Sequence, residues 1–175
     1  MQKHRIASIA ALAVSVFLLG AVAAQAGAGV PYTFHGTEQA TFEEEGLCSA
    51  SATITIDARW WLHVNATEAG LTEEEIFAAL ESDDPEGILR SVTLTEVGTF
   101  TAVESTGQVI QGRFTSWFGG NINHDGHTMV FTGTFSARGV DEDGNRIVAH
   151  FSGHATFVDG EPVVEFERGK VQGCA

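Results

Sequence analysis

Residues 128–158 read TMVFTGTFSARGVDEDGNRIVAHFSGHATFV, and the two halves of this stretch lie against each other in one useful way. Asp141-Glu142-Asp143-Gly144-Asn145 is turn chemistry, because Asp-Gly and Gly-Asn supply the positive φ angles that a hairpin loop demands. Folding the chain back there sets Phe135 opposite Phe151, Phe131 opposite Ala155 and Met129 opposite Phe157, all on one side. Thr132, Thr134, Ser136, His150, Ser152, His154 and Thr156 collect on the other. A pair of strands with one aromatic and one polar face is half-buried antiparallel sheet.

The same period-two rhythm runs through residues 51–64. Ile54, Ile56, Ala58, Trp60 and Leu62 share one face there, and Thr53, Thr55, Asp57, Arg59, Trp61 and His63 share the other. It recurs in residues 91–97, 99–105, 108–118 and 162–168, with an N-terminal strand at 32–36 extending toward Phe42. Gly119-Gly120-Asn121 and Asp159-Gly160 read as further turns. One segment departs from the rhythm. Thr72-Glu73-Glu74-Glu75 fits a capping box with Thr72 as N-cap, and Ile76, Phe77 and Leu80 form a short apolar stripe before Asp83-Asp84-Pro85. The predicted fold is all-β: an antiparallel up-and-down barrel, or a sandwich, of about seven or eight strands with one short helix. Short hairpin connections favour the barrel.

Lys3, His4 and Arg5 precede an apolar run over residues 6–24, and Ala24-Gln25-Ala26 supplies a small-x-small exit. This is the pattern of a secretory signal peptide over residues 1–26, leaving residues 27–175 as a single domain. The run is alanine-rich and ends in Gly27, Ala28 and Gly29 with no basic flank, so no stable membrane anchor is expected after cleavage. The expected location is secreted, either extracellular or periplasmic. Of the 9 basic and 23 acidic residues only Lys3 and Arg5 fall in the leader, so residues 27–175 carry a formal charge of −16. Such acidity repels phosphate backbones and counts against nucleic acid and anionic membranes as partners. Cys48 and Cys174 are the only cysteines, and in an oxidising compartment an even pair is expected to form a disulfide.

Trp61, Trp117, His150 and His154 are the candidate ligand-binding residues, since exposed aromatics and imidazoles on a strand face can line a binding wall. Trp60 and Trp61 point to opposite faces, so one of them leaves the core. His124 and His127 flank a turn and are candidate metal ligands. His150 and His154 stand about 13 Å apart on an extended strand, too far to share one ion. No cofactor is expected beyond a divalent metal at that histidine turn. No Gly-x-Ser-x-Gly elbow is present, and no acid stands on an evidently buried face.

The stretch Gly112-Arg113-Phe114-Thr115-Ser116-Trp117-Phe118-Gly119-Gly120-Asn121, followed by Phe131-Thr132-Gly133-Thr134-Phe135 and Asp143-Gly144, resembles small secreted bacterial β-proteins of uncharacterised function. The resemblance implies export and a barrel-like fold and carries over no active residues. The early Gly-x-Trp of lipocalins is missing from the first strand. The reading is an exported, non-enzymatic domain that binds a ligand or an extracellular partner. A metal-dependent enzyme built on histidine and a purely structural module are the alternatives.

Overall fold

A computed structural model describes residues 29–81, 88–122, 128–158 and 161–174. Seven strands form one antiparallel sheet in chain order: β1 Val30–Glu44, β2 Ala52–Ala66, β3 Leu89–Glu104, β4 Val109–Ile122, β5 Thr128–Asp141, β6 Arg146–Val158 and β7 Glu161–Gln172. Among the described residues one helix, α1 Glu73–Glu81, interrupts the series between β2 and β3. The all-β up-and-down architecture with one short helix is the expected one. The β5–β6 register is also as read from the sequence: Phe135 pairs with Phe151, Phe131 with Ala155 and Met129 with Phe157.

Two strand boundaries differ. The segments 91–97 and 99–105 merge into one strand, β3, which passes through Gly98 without a break and ends at Glu104. A Cβ at Gly98 would stand 2.4 Å from the Asp57 carbonyl oxygen and 2.8 Å from Cα of Ala58, so this glycine admits a close backbone approach. Gly119-Gly120 is likewise no turn, because β4 continues to Ile122. A Cβ at Gly119 would fall 2.7 Å from the Trp117 ring, and one at Gly120 would fall 2.7 Å from the Phe131 ring. Both glycines make room for aromatic rings.

The sheet curls until its two edges approach each other at one end. Leu47, just after β1, and Val171, on β7, pack into the same cluster with Phe100, Ile110, Phe114 and Phe151. The Cys48–Cys174 disulfide joins the same two edges, with Cα atoms 5.4 Å apart. At the other end α1 lies on the concave face. There Ile76, Ala79 and Leu80 pack with Leu62, Val64, Val92 and Phe118. The helix starts as its capping box requires: the Glu75 amide donates to Thr72 Oγ1 at 3.2 Å, and the Thr72 amide donates to Glu75 Oε2 at 2.7 Å. The Thr72 amide, and next the Thr72 hydroxyl donating to the same oxygen at 2.8 Å, hold the Glu75 carboxyl below the usual carboxylate range.

The sheet is not closed into a barrel, and with all seven strands in one sheet it is not a sandwich. Among the described residues β1 pairs only with β2 and β7 only with β6. Charge gives one reason. The concave side of β7 carries Glu165 and Glu167, and the far side of the seam carries Glu38 on β1 and Glu45 just after it. Glu167 is held above the usual carboxylate range, first by burial and then by the charges of Glu165 and Glu45. Like charges across the seam oppose zipping the edges together.

Candidate functional site

The concave face holds a cavity of about 60 Å³, several times the roughly 10–15 Å³ that one water needs. Phe42, Ile54, Ile56, Phe100, Phe114 and Phe135 form its apolar wall, and Glu96 and Ser116 form its polar end. Strand alternation delivers these side chains. Glu96 follows Leu94 on the inner row of β3, and Ser116 lies between Phe114 and Phe118 on the inner row of β4, directly opposite Glu96.

Glu96 Oε2 accepts a hydrogen bond from Ser116 Oγ at 3.3 Å, while its Oε1 is buried without a partner. Burial, and next the charge of Glu38, raise the Glu96 pKa above the usual value, opposed by the Ser116 bond. Glu45 Oε2 and Glu167 Oε1 are also buried without partners. The interior is therefore an apolar trough with carboxylate oxygens that lack donors. A buried acceptor left in that state is costly, and a bound donor would satisfy it.

Two other acids are fully built in. Glu104 is 2% exposed and holds the loop that carries Cys48: Leu47 N donates to Oε1 at 2.9 Å, Cys48 N donates to the same oxygen at 3.4 Å, and Ser49 Oγ donates to Oε2. Asp141 organises the β5–β6 turn. It accepts from Asn145 N at 2.7 Å, Asn145 Nδ2 at 2.9 Å, Asp143 N at 3.0 Å and Gln108 Nε2 at 2.8 Å. These bonds, led by the Asn145 side chain, hold its carboxyl below the usual range. The sequence reading found no buried acid. Inner-row position alone would have flagged Glu96 and Glu104, because each continues the apolar row of β3.

Trp61, Trp117, His150 and His154 all stand on the convex face, away from the cavity. Trp61 and Trp117 are each 37% exposed and lie in one cross-strand row with Thr95 between them. Trp60 faces inward and meets Phe77 of α1 edge-on, with ring centroids 6.3 Å apart. Three convex histidines are tied to the hydroxyl directly across the ladder: His63 to Thr33 at 3.1 Å, His154 to Thr132 at 3.1 Å and His150 to Ser136 at 2.8 Å. His154 also stacks on Phe166 at 5.5 Å. His150 and His154 therefore belong to separate local pairs.

His124 and His127 lie outside the described residues. Among the described residues no group of three or more His, Cys, Asp or Glu side chains is placed to hold a metal ion. The leader over residues 1–26 also lies outside them. The disulfide points to an oxidising environment. No helix among the described residues is long and apolar enough to cross a membrane. The chain matches no protein-family model, no curated protein and no solved structure.

Proposed function

We propose that this domain works outside the cytoplasm as a binding protein. Its concave trough takes a small amphipathic ligand with an apolar body and a cationic or hydrogen-bond-donating head. The observation that carries the reading is Glu96 Oε1, buried and without a partner at the polar end of a cavity otherwise walled by Phe, Ile, Leu and Ala. Mostly apolar concavities with one or two placed polar groups are the usual form of small-molecule sites, and the mouths of curled sheets are a frequent setting. An alkylammonium group would supply the missing donor and neutralise a carboxylate that burial disfavours. The disulfide supports export, in line with the charged start, apolar run and Ala-Gln-Ala exit of the first 26 residues.

Thermal denaturation with hexylamine and with hexanol tests the reading, since a ligand that binds only the folded state raises the melting temperature by mass action. Hexylamine is expected to raise it more than hexanol does, and Glu96→Gln to abolish the difference. Equal shifts from the two compounds, or an unchanged amine effect in Glu96→Gln, would contradict it.

A further inference from the structure

The convex face has a character that whole-chain composition conceals. Cross-strand pairing places Arg59, Arg113, Arg138, Arg146, Arg168 and Lys170 on that face. These are six of the nine basic residues of the chain, and all six are exposed. The strand carboxylates sharing the face are Glu43, Asp57 and Glu161. A chain of formal charge −14 thus presents one cationic surface, with its other described acids in the concave trough, the helix and the loops.

Two features give this surface the look of a site. Arg113 and Arg138 stand directly opposite each other across β4–β5. Like charges in that position destabilise a sheet, and the next residues along the row are Thr99 and Val148, neither of which can neutralise them. An anion bridging the two guanidiniums would remove the repulsion through charge-assisted bonds. On the same strand, the Trp117 ring occupies the space over Gly119, where a Cβ would meet it at 2.7 Å. Trp61 lies two strands away in the same row, about 9.5 Å across the ladder. Threonine and serine hydroxyls fill the intervening positions.

We propose that the convex face binds an acidic polysaccharide, with Trp61 and Trp117 stacking on the apolar faces of sugar rings and Arg113 and Arg138 taking a carboxylate. Planar aromatics at this spacing suit rings along an extended chain, and the hydroxyl and imidazole rows suit sugar hydroxyls. A nucleic acid fits less well. It carries a phosphate at every nucleotide, which the acidic remainder of the chain repels, whereas an acidic glycan spaces its carboxylates among neutral rings. The oxidising environment indicated by the disulfide is also where such polymers lie.

Affinity electrophoresis through hyaluronate, in which glucuronate alternates with a neutral amino sugar, tests this, with dextran and oligothymidylate as comparison polymers. The full chain should be retarded by hyaluronate at low salt, and less so as salt rises. Arg113→Gln with Arg138→Gln should abolish the retardation. Trp117→Ala should weaken binding by about tenfold, the scale of losing one stacked aromatic. Gly119→Ala should weaken it too, because the new methyl lifts the Trp117 ring away. Its melting temperature should hold, since the clash is with the far end of a side chain. Absence of retardation, unchanged retardation in the arginine pair variant, or stronger retention by dextran or oligothymidylate would overturn the proposal.

Discussion

The two ends of the curled sheet are closed by different means. At the Cys48–Cys174 end a covalent bond ties the loop after β1 to the end of β7, and buried Glu104 holds that loop through three donors. At the other end α1 rests on the concave face through an apolar cluster led by Ile76, which is fully buried. The first closure fixes the distance between the sheet edges. The second fills space without joining them. An open sheet can therefore keep a cavity between a fastened end and a plugged one, and the plugged end is where opening for a ligand costs least.

Removing the covalent tie should have the largest effect. Cys48→Ser with Cys174→Ser frees a loop of sequence separation 126, worth about 4–5 kcal/mol in the chain-entropy description. Urea denaturation should record that loss, and a loss below about 1 kcal/mol would mean that the edges meet without the bond. Ile76→Ala probes the opposite end. It should cost about 3 kcal/mol as a buried large-to-small change, and faster amide exchange should be confined to the α1 end of β2 and β3. Uniformly faster exchange would erase the distinction between the ends. Glu104→Ala leaves Leu47 N, Cys48 N and Ser49 Oγ without their acceptor and should cost about 2 kcal/mol, with the disulfide becoming more accessible to reductant.

The smallest effect has the opposite sign. The Glu96 pKa is raised in the folded state, so ionisation opposes folding, and stability falls as pH rises from the unfolded value through the folded one. Glu96→Gln should therefore raise the melting temperature at pH 7 by about 2 °C. The gain should vanish near pH 4, about the ordinary carboxylate range. Destabilisation at pH 7 would show that the carboxylate has a donor after all.

Local chemistry carried most of what could be read in advance. The β5–β6 register followed from one turn and one aromatic row. The helix start followed from the Thr72–Glu75 capping box, and the disulfide from there being two cysteines. Strand ends at Gly98 and Gly119 were misplaced because a glycine in a strand serves two purposes. It can permit a turn, or it can leave room for a carbonyl or an indole ring from a residue on another strand or two positions away, and local pattern does not separate these. Barrel closure was not legible either, because it depends on the two ends of the chain meeting and on carboxylates that face each other only across the finished seam. The buried acids were hidden for a similar reason: the donors to Glu104 come from a loop 55–57 residues earlier. The convex face was half legible. Alternation put Trp61 and His63 outward, while the gathering of six cations required the full order of seven strands.

Residue-resolved amide hydrogen exchange on the oxidised protein tests the central claim, a single sheet with two free edges fastened at one end. Alternate amides of β1 and β7, those that point away from β2 and β6, should exchange rapidly along most of each strand. Protection should appear only near Cys48 and Cys174, with β3 and β4 protected throughout. Uniform protection of both edges would mean that β1 and β7 are hydrogen-bonded to each other, and the open-trough account would fail.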